Sequence, residues 1–264
     1  MEHLLWWQYS LIALIFIWSG FVRSGLGFGG AALALPFLLL VFNEPIVFLP
    51  LIAIQLLVFS SWIAYQGHKK SQEAKQLDAT QDSNIDWRYL KYAMGIIIVP
   101  KMIGVFGLLT LPSSTMTAII FSIVAVYAVS YILNKPFISN RPYLDILFLI
   151  IGGYFSGASL IGAPLIVAVF ATKVAKHQLR DTLFVLWFIL VVIKMTSFLI
   201  AGVDLQLIHQ LWLLPCAFIG HLLGQAFHEK IQKAETPVFF RVIGIALLFI
   251  CCIGVYSSLQ TSLT

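Results

Sequence analysis

Ser24-Gly25-Leu26-Gly27-Phe28-Gly29-Gly30-Ala31-Ala32-Leu33 has a counterpart 132 residues later in Ser156-Gly157-Ala158-Ser159-Leu160-Ile161-Gly162-Ala163-Pro164-Leu165, in a chain of 264. Ser-Gly opens both stretches, and Gly-Ala followed by a leucine closes both. Long apolar runs surround them. With 60% hydrophobic and 10% charged residues, and a mean hydropathy of +0.96, the chain is too apolar for a soluble domain of this length. Lipid offers no water to an interrupted backbone, so such breaks persist only where protein or an aqueous cavity surrounds them. Matching breaks in two halves of a membrane chain are the sequence mark of a transport site.

The apolar segments span 4–22, 24–42, 45–66, 89–110, 114–133, 143–155, 158–172, 180–201, 206–226 and 237–258. Most of the long ones reach the ~20 residues that a helix needs to cross ~30 Å of hydrocarbon. Segments 143–155 and 158–172 do not, and at ~1.5 Å per residue each covers only about 20 Å. They read as two half-helices meeting inside the membrane. The first copy, 4–42, breaks at the matching place, around Arg23 to Gly30. The expected fold is an all-α polytopic membrane protein of two inverted repeats, each a Gly-broken helical hairpin plus three transmembrane helices. Repeat 1 spans 1–134, with hairpin 4–42 and helices 45–66, 89–110 and 114–133. Repeat 2 spans 135–264, with hairpin 143–172 and helices 180–201, 206–226 and 237–258. Together they form one membrane domain. The polar stretch Gly67 to Asp86 has the composition of a solvated loop. The run Leu4–Val22 lacks a basic n-region and a small-x-small cleavage site, so it is expected to remain in the mature protein.

Charge placement selects the topology. If each hairpin enters and leaves on one side and three crossings follow, 13 of the 16 Lys and Arg residues share a side. That side carries Lys69, Lys70, Arg88, Lys135, Lys173 and Arg241 among others. The opposite side, with both termini and the turns at Asn43-Glu44, Leu111-Pro112 and Gly202-Asp204, holds none. Positive residues favour the cytoplasmic side, so both termini are expected to be non-cytoplasmic and the protein to lie in the cytoplasmic (inner) membrane. The net charge of +5 is then a matter of topology, and the bilayer rather than nucleic acid is the partner.

Arg23, Lys101 and Lys194 are left over. Arg23 sits at the first break, while Lys101 and Lys194 lie about 18 Å and 21 Å along helices that start at the cytoplasmic face. A cation at such depth faces a cavity, a partner or a substrate, and the interiors of these segments hold no Asp or Glu. A small anion is the missing partner. The blander account is that Arg23 snorkels to the surface and that the lysines bind backbone carbonyls. The glycine runs 25–30 and 157–162 are read as opening helices, whose free N–H groups attract anions. Ser24, Gly25, Gly29, Gly30, Ser156, Gly157, Ser159 and Gly162 therefore join the three cations as expected substrate-binding residues. A side chain at Gly20, one turn before the break, is expected to be tolerated better than one at Gly30. Gln55, Thr182, Thr196, His221 and Gln225 are candidate pore-lining residues.

Other chemistry finds less support. Gly25 to Gly30 spells G-x-G-x-x-G without a βαβ context, so no dinucleotide is implied. Asp82-x-Asn84-x-Asp86 lacks the Gly and distal Glu of a calcium loop, so neither metal nor cofactor is expected. Cys216, Cys251 and Cys252 fall in apolar helices and read as packing residues. The alternative function is an intramembrane serine hydrolase pairing Ser156 with His221, which leaves the first break without a purpose.

Gly25-Leu26-Gly27-Phe28-Gly29-Gly30 leading to Pro36 resembles the first signature of the sulfite exporter TauE/SafE family, and Ser156-Gly157 to Gly162-Ala163-Pro164-Leu165 its second-half counterpart. The blocks Ile85-Asp86-Trp87-Arg88, Arg180-Asp181-Thr182-Leu183 and Pro215 to Gly224 follow in the family's order, so the resemblance covers nearly the whole chain. It implies transport of sulfur-containing or other small organic anions across the cytoplasmic membrane. The expected function is a secondary transporter for sulfite, an organosulfonate or a similar organic acid, working by alternating access.

Overall fold

The computed structural model describes residues 4–26, 30–75, 85–135, 137–233 and 236–263. Among these residues the chain forms ten helices and no strand: α1 (Trp6–Leu26), α2 (Gly30–Val41), α3 (Pro45–Lys75), α4 (Trp87–Thr110), α5 (Ser113–Ile132), α6 (Pro142–Ser159), α7 (Ala163–Lys173), α8 (Lys176–Ile200), α9 (Leu207–Lys233) and α10 (Thr236–Leu263). Six stretches are long and apolar enough to cross a membrane: α4, α5, α6, α8, Leu207–Ala226 of α9 and Arg241–Ser258 of α10. The apolar helices α2 and α7 are too short, as is Pro45–Phe59 of α3.

Pairs of helices closed by glycine hold the bundle together. The most extensive pairings are α1 with α9, α5 with α10 and α4 with α6. At the α1–α9 crossing a Cβ on Gly20 would collide with the Ala217 carbonyl, and one on Gly220 with the Ile17 carbonyl. At the α4–α6 crossing a Cβ on Gly157 would strike the Lys101 carbonyl, and one on Gly104 the Tyr154 carbonyl. Small residues let backbones approach this closely, which is how helices associate where lipid and side chain are equally apolar.

Contacts between helix ends sort the chain into two levels. At one end Gln8 Nε2 donates to the Val41 carbonyl at 3.0 Å, so the start of α1 meets the end of α2. Here too Ser113 Oγ donates to Glu44 at 2.5 Å, joining the starts of α5 and α3. Gln210 Nε2 donates to the Leu51 carbonyl at 2.9 Å, bringing in the start of α9. The other end of α5 receives Arg241, whose Nε donates to the Ile132 carbonyl at 3.2 Å. Residues 133–141 lead from α5 into α6, where Asp145 bridges Lys173 at 2.8 Å and joins the start of α6 to the end of α7. The open end of the α1–α2 hairpin thus lies with the starts of α3 and α5, and the open end of the α6–α7 hairpin is tied by the Asp145–Lys173 pair.

Three expectations change. The stretch from Gly67 is helical through Lys75 rather than a loop, because Lys69, Lys70, Gln72, Glu73, Ala74 and Lys75 are good helix formers that can extend a helix into water. The second hairpin does not consist of two equal half-helices: α6 has 18 residues and α7 has 11. The glycine runs also end one helix before they open the next, with Gly30 beginning α2 and Gly162 capping α7. Ser24 and Gly25 lie in the last turn of α1, and Ser156, Gly157 and Ser159 in the last turn of α6. Helix α6 stops only at Leu160, whose φ of 62° is left-handed, and α7 resumes after Gly162. Glycine one turn earlier is retained inside the helix because the neighbouring backbone needs its space.

Candidate functional site

At the second break, two buried lysines from different helices converge on consecutive residues of α6. Lys101 of α4 donates to Ser156 Oγ at 3.2 Å. Lys194 of α8 donates to the Gly157 carbonyl at 2.7 Å. Both lysines are 0% exposed. Gly157 sits where a helix runs out of its own N–H donors, so its carbonyl would otherwise lack a partner. Lys194 supplies that partner, which is the carbonyl-binding role weighed for it above. The ammonium also lies 5.6 Å from the Phe198 ring centroid, on the next turn of α8. Lys101 occupies its position because Gly104 and Gly157 let α4 and α6 touch.

The first break is built differently. Arg23 belongs to α1 itself, and its Cζ stands 4.0 Å from the centroid of Phe59 on α3. Its Nε and Nη2 atoms are buried without a hydrogen-bond partner among the described residues. Ser24 Oγ and His221 Nδ1 share a hydrogen bond between α1 and α9, and the His221 ring lies 5.4 Å from that of Phe59. Gln55, one turn before Phe59, is buried and its Nε2 has no partner among the described residues. Ser19 Oγ donates to the Gly30 carbonyl at 3.2 Å and fastens α1 to the first residue of α2.

The remaining sequence candidates scatter. Gly29 lies outside the described residues. Gly30 and Gly162 each begin the return helix against the preceding one: a Cβ on Gly30 would be 2.9 Å from the Ser19 carbonyl, and one on Gly162 would strike that of Gly152. Ser159 donates to Phe155 within its own helix at 3.0 Å. Thr182 accepts from the Asp86 N–H at 3.0 Å and so ties α8 to the start of α4. Thr196 and Gln225 lie on the outer surface of the bundle. Ser156 pairs with Lys101 and His221 with Ser24, so the Ser156–His221 pair that the hydrolase alternative needs is not formed. Sequence reasoning missed Phe59, Phe198 and Ser19. Phe198 follows Lys194 by four residues, a helical spacing, but 21 phenylalanines make such spacings common.

A family model described as Sulfite exporter TauE/SafE matches residues 12–255. The chain belongs to the sulfite exporter TauE/SafE family. It is therefore a multi-pass membrane protein of a family that transports sulfur-containing anions, and both breaks with their cations fall inside the matched region. Comparison with curated proteins and with solved structures gave no match.

Proposed function

We propose that this family member is a secondary transporter that moves a small anion, such as sulfite, an organosulfonate or a similar organic acid, between its two breaks by alternating access. The observation that carries the reading is the convergence of Lys101 and Lys194 on Ser156 and Gly157 with no carboxylate beside them among the described residues. A helix C-terminus offers about half a negative charge, too little to balance two ammonium groups. An anion arriving between them completes the balance. Ser24, Gly25, Gly29, Gly30, Ser159 and Gly162 belong to the same proposed path as the residues that shape the breaks.

The alternating step draws support from contacts that repeat between the two halves. Matching helices of the two halves make matching contacts: α1 with α9 and α6 with α4, α2 with α3 and α7 with α8, α3 with α9 and α8 with α4. The return helices α2 and α7 have 12 and 11 residues, so each break lies roughly 16–18 Å from its open end at ~1.5 Å per residue. Hairpins of that depth, opening on opposite faces of ~30 Å of hydrocarbon, both reach its middle. The positive-inside pattern puts both termini outside the cytoplasm and the open end of the α6–α7 hairpin on the cytoplasmic side.

Proteoliposomes test the reading. Sulfite, methanesulfonate, acetate and chloride are offered under imposed pH and sodium gradients. Flux of the sulfur oxyanions that Lys194→Gln reduces at least about tenfold, in a protein that still inserts, is the expected result. No flux of any anion under any gradient would refute it. Orientation is read separately from single cysteines at Asn140 and Ala201, expected to label from the cytoplasmic and the external side respectively.

A further inference from the structure

Arg23 presents one particular edge of its guanidinium. Nε and Nη2 are the two nitrogens whose N–H bonds run side by side, forming the fork that meets two oxygens of one oxyanion. Both are buried and unpartnered among the described residues. The Phe59 ring centroid lies 4.0 Å from Cζ, a cation–π contact that leaves both nitrogens without a hydrogen bond. A third buried donor without a partner, Gln55 Nε2, stands one turn before Phe59 on the same face of α3. The described carboxylates that make hydrogen bonds or ion pairs do so elsewhere: Glu44 with Ser113, Asp86 with Tyr89, Asp145 with Lys173 and Asp204 with Gln206. Leaving a charged donor buried and unpaired is costly, and no described residue gives these two nitrogens a hydrogen bond.

We infer that the first break holds an oxyanion site of its own, where the Nε–Nη2 edge of Arg23 grips two oxygens of a sulfonate-, sulfite- or carboxylate-type anion and Gln55 bonds the same group. The inference deepens the transport reading and rests on it for the movement of the anion, but binding at Arg23 is a separate property. It also divides the labour between the breaks. An ammonium is a point charge that takes any small anion, whereas a fork selects for two oxygens held in one plane. The first break reads shape and the second reads charge. A monatomic anion satisfies only one arm of the fork well and binds the Arg23 site weakly.

The full chain in detergent, titrated calorimetrically with methanesulfonate, acetate and chloride, tests this. Lys194→Gln together with Lys101→Gln isolates the first break. In that background methanesulfonate and acetate are expected to bind, and adding Arg23→Lys, which keeps the charge and removes the fork, to weaken both at least about tenfold. Chloride at equal concentration should displace neither. Unchanged affinity in the Arg23→Lys protein, or equal competition by chloride, would overturn the site. Gln55→Leu gives a second arm should Arg23→Lys fail to fold: weaker methanesulfonate binding supports the site, and unaltered binding counts against it. Binding that follows Arg23 in a protein without flux would keep the site and remove the transport reading. Flux with unaltered anion preference in Arg23→Lys would do the reverse.

Discussion

The first hairpin carries its cation on its own helix, while the second borrows two from its neighbours. Arg23 lies in the last turn of α1; Lys101 and Lys194 reach the last turn of α6 from α4 and α8. Each arrangement puts positive charge at a helix C-terminus, where the backbone dipole favours it. The difference lies in what remains free. Lys194 is held by a carbonyl, and the Nε–Nη2 edge of Arg23 is held by no described residue. Two halves that repeat a glycine pattern therefore differ in which positively charged group stays free, while each break keeps a positive end.

The crossings also differ in register, and they give the largest expected effects. Gly20 stands to the Ala217 carbonyl as Gly157 stands to that of Lys101, yet Gly20 lies six residues before the end of α1 and Gly157 only two before the end of α6. Gly157→Val and Gly20→Val should each destabilise the protein by about 3 kcal/mol or more, since backbone rather than a side chain blocks the new atoms. Thermal melts in detergent would show it. A normal melt for either variant would break the equivalence of the crossings. This reverses the expectation that Gly20 tolerates a side chain better than Gly30.

Lys194→Gln comes next, sharpening the contrast in charge. Its amide keeps an N–H donor on that side of α8, so melting should change little while anion flux falls at least about tenfold. Equal loss of flux and of folded protein would assign the lysine to structure alone. Gly30→Val should cost less than Gly20→Val, by about 1 kcal/mol, because its Cβ contact at 2.9 Å is with one carbonyl and with side-chain atoms of Ser19 and Arg23. The smallest effect is at Gly95, where an added Cβ meets nothing within 4 Å. Gly95→Ala should raise stability by about 0.5–1 kcal/mol through helix propensity alone, and a loss there would mean that α4 packs on something further.

The helices were legible because lipid leaves the backbone few options, so length and hydropathy alone set most of them. The breaks were legible only approximately. Gly157 and Gly25 look alike in sequence, but close crossing and chain reversal both demand a missing Cβ, and sequence cannot separate the two demands. Hence the second break was placed at Ser156-Gly157, whereas the chain turns at Leu160. Depth along a helix singled out Lys101 and Lys194, but their meeting at one turn of α6 depends on which helices are neighbours. Phe59 and Gln55 were harder still, since their relation to Arg23 exists only in the packed bundle.

The hydrogen bond from Lys194 to the Gly157 carbonyl has a kinetic consequence. Under the proposed alternating access, an arriving anion would share an ammonium already occupied by backbone and would not capture it whole. Related ligands differ mostly in how fast they leave, so a shared cation shortens residence time more than it slows capture. A carrier must release its cargo in every cycle, and a site that holds too well would stall it. The same carbonyl keeps the side chain in place between visits, so the empty carrier returns without rebuilding its site. Turnover speed, on this account, is set by a backbone oxygen.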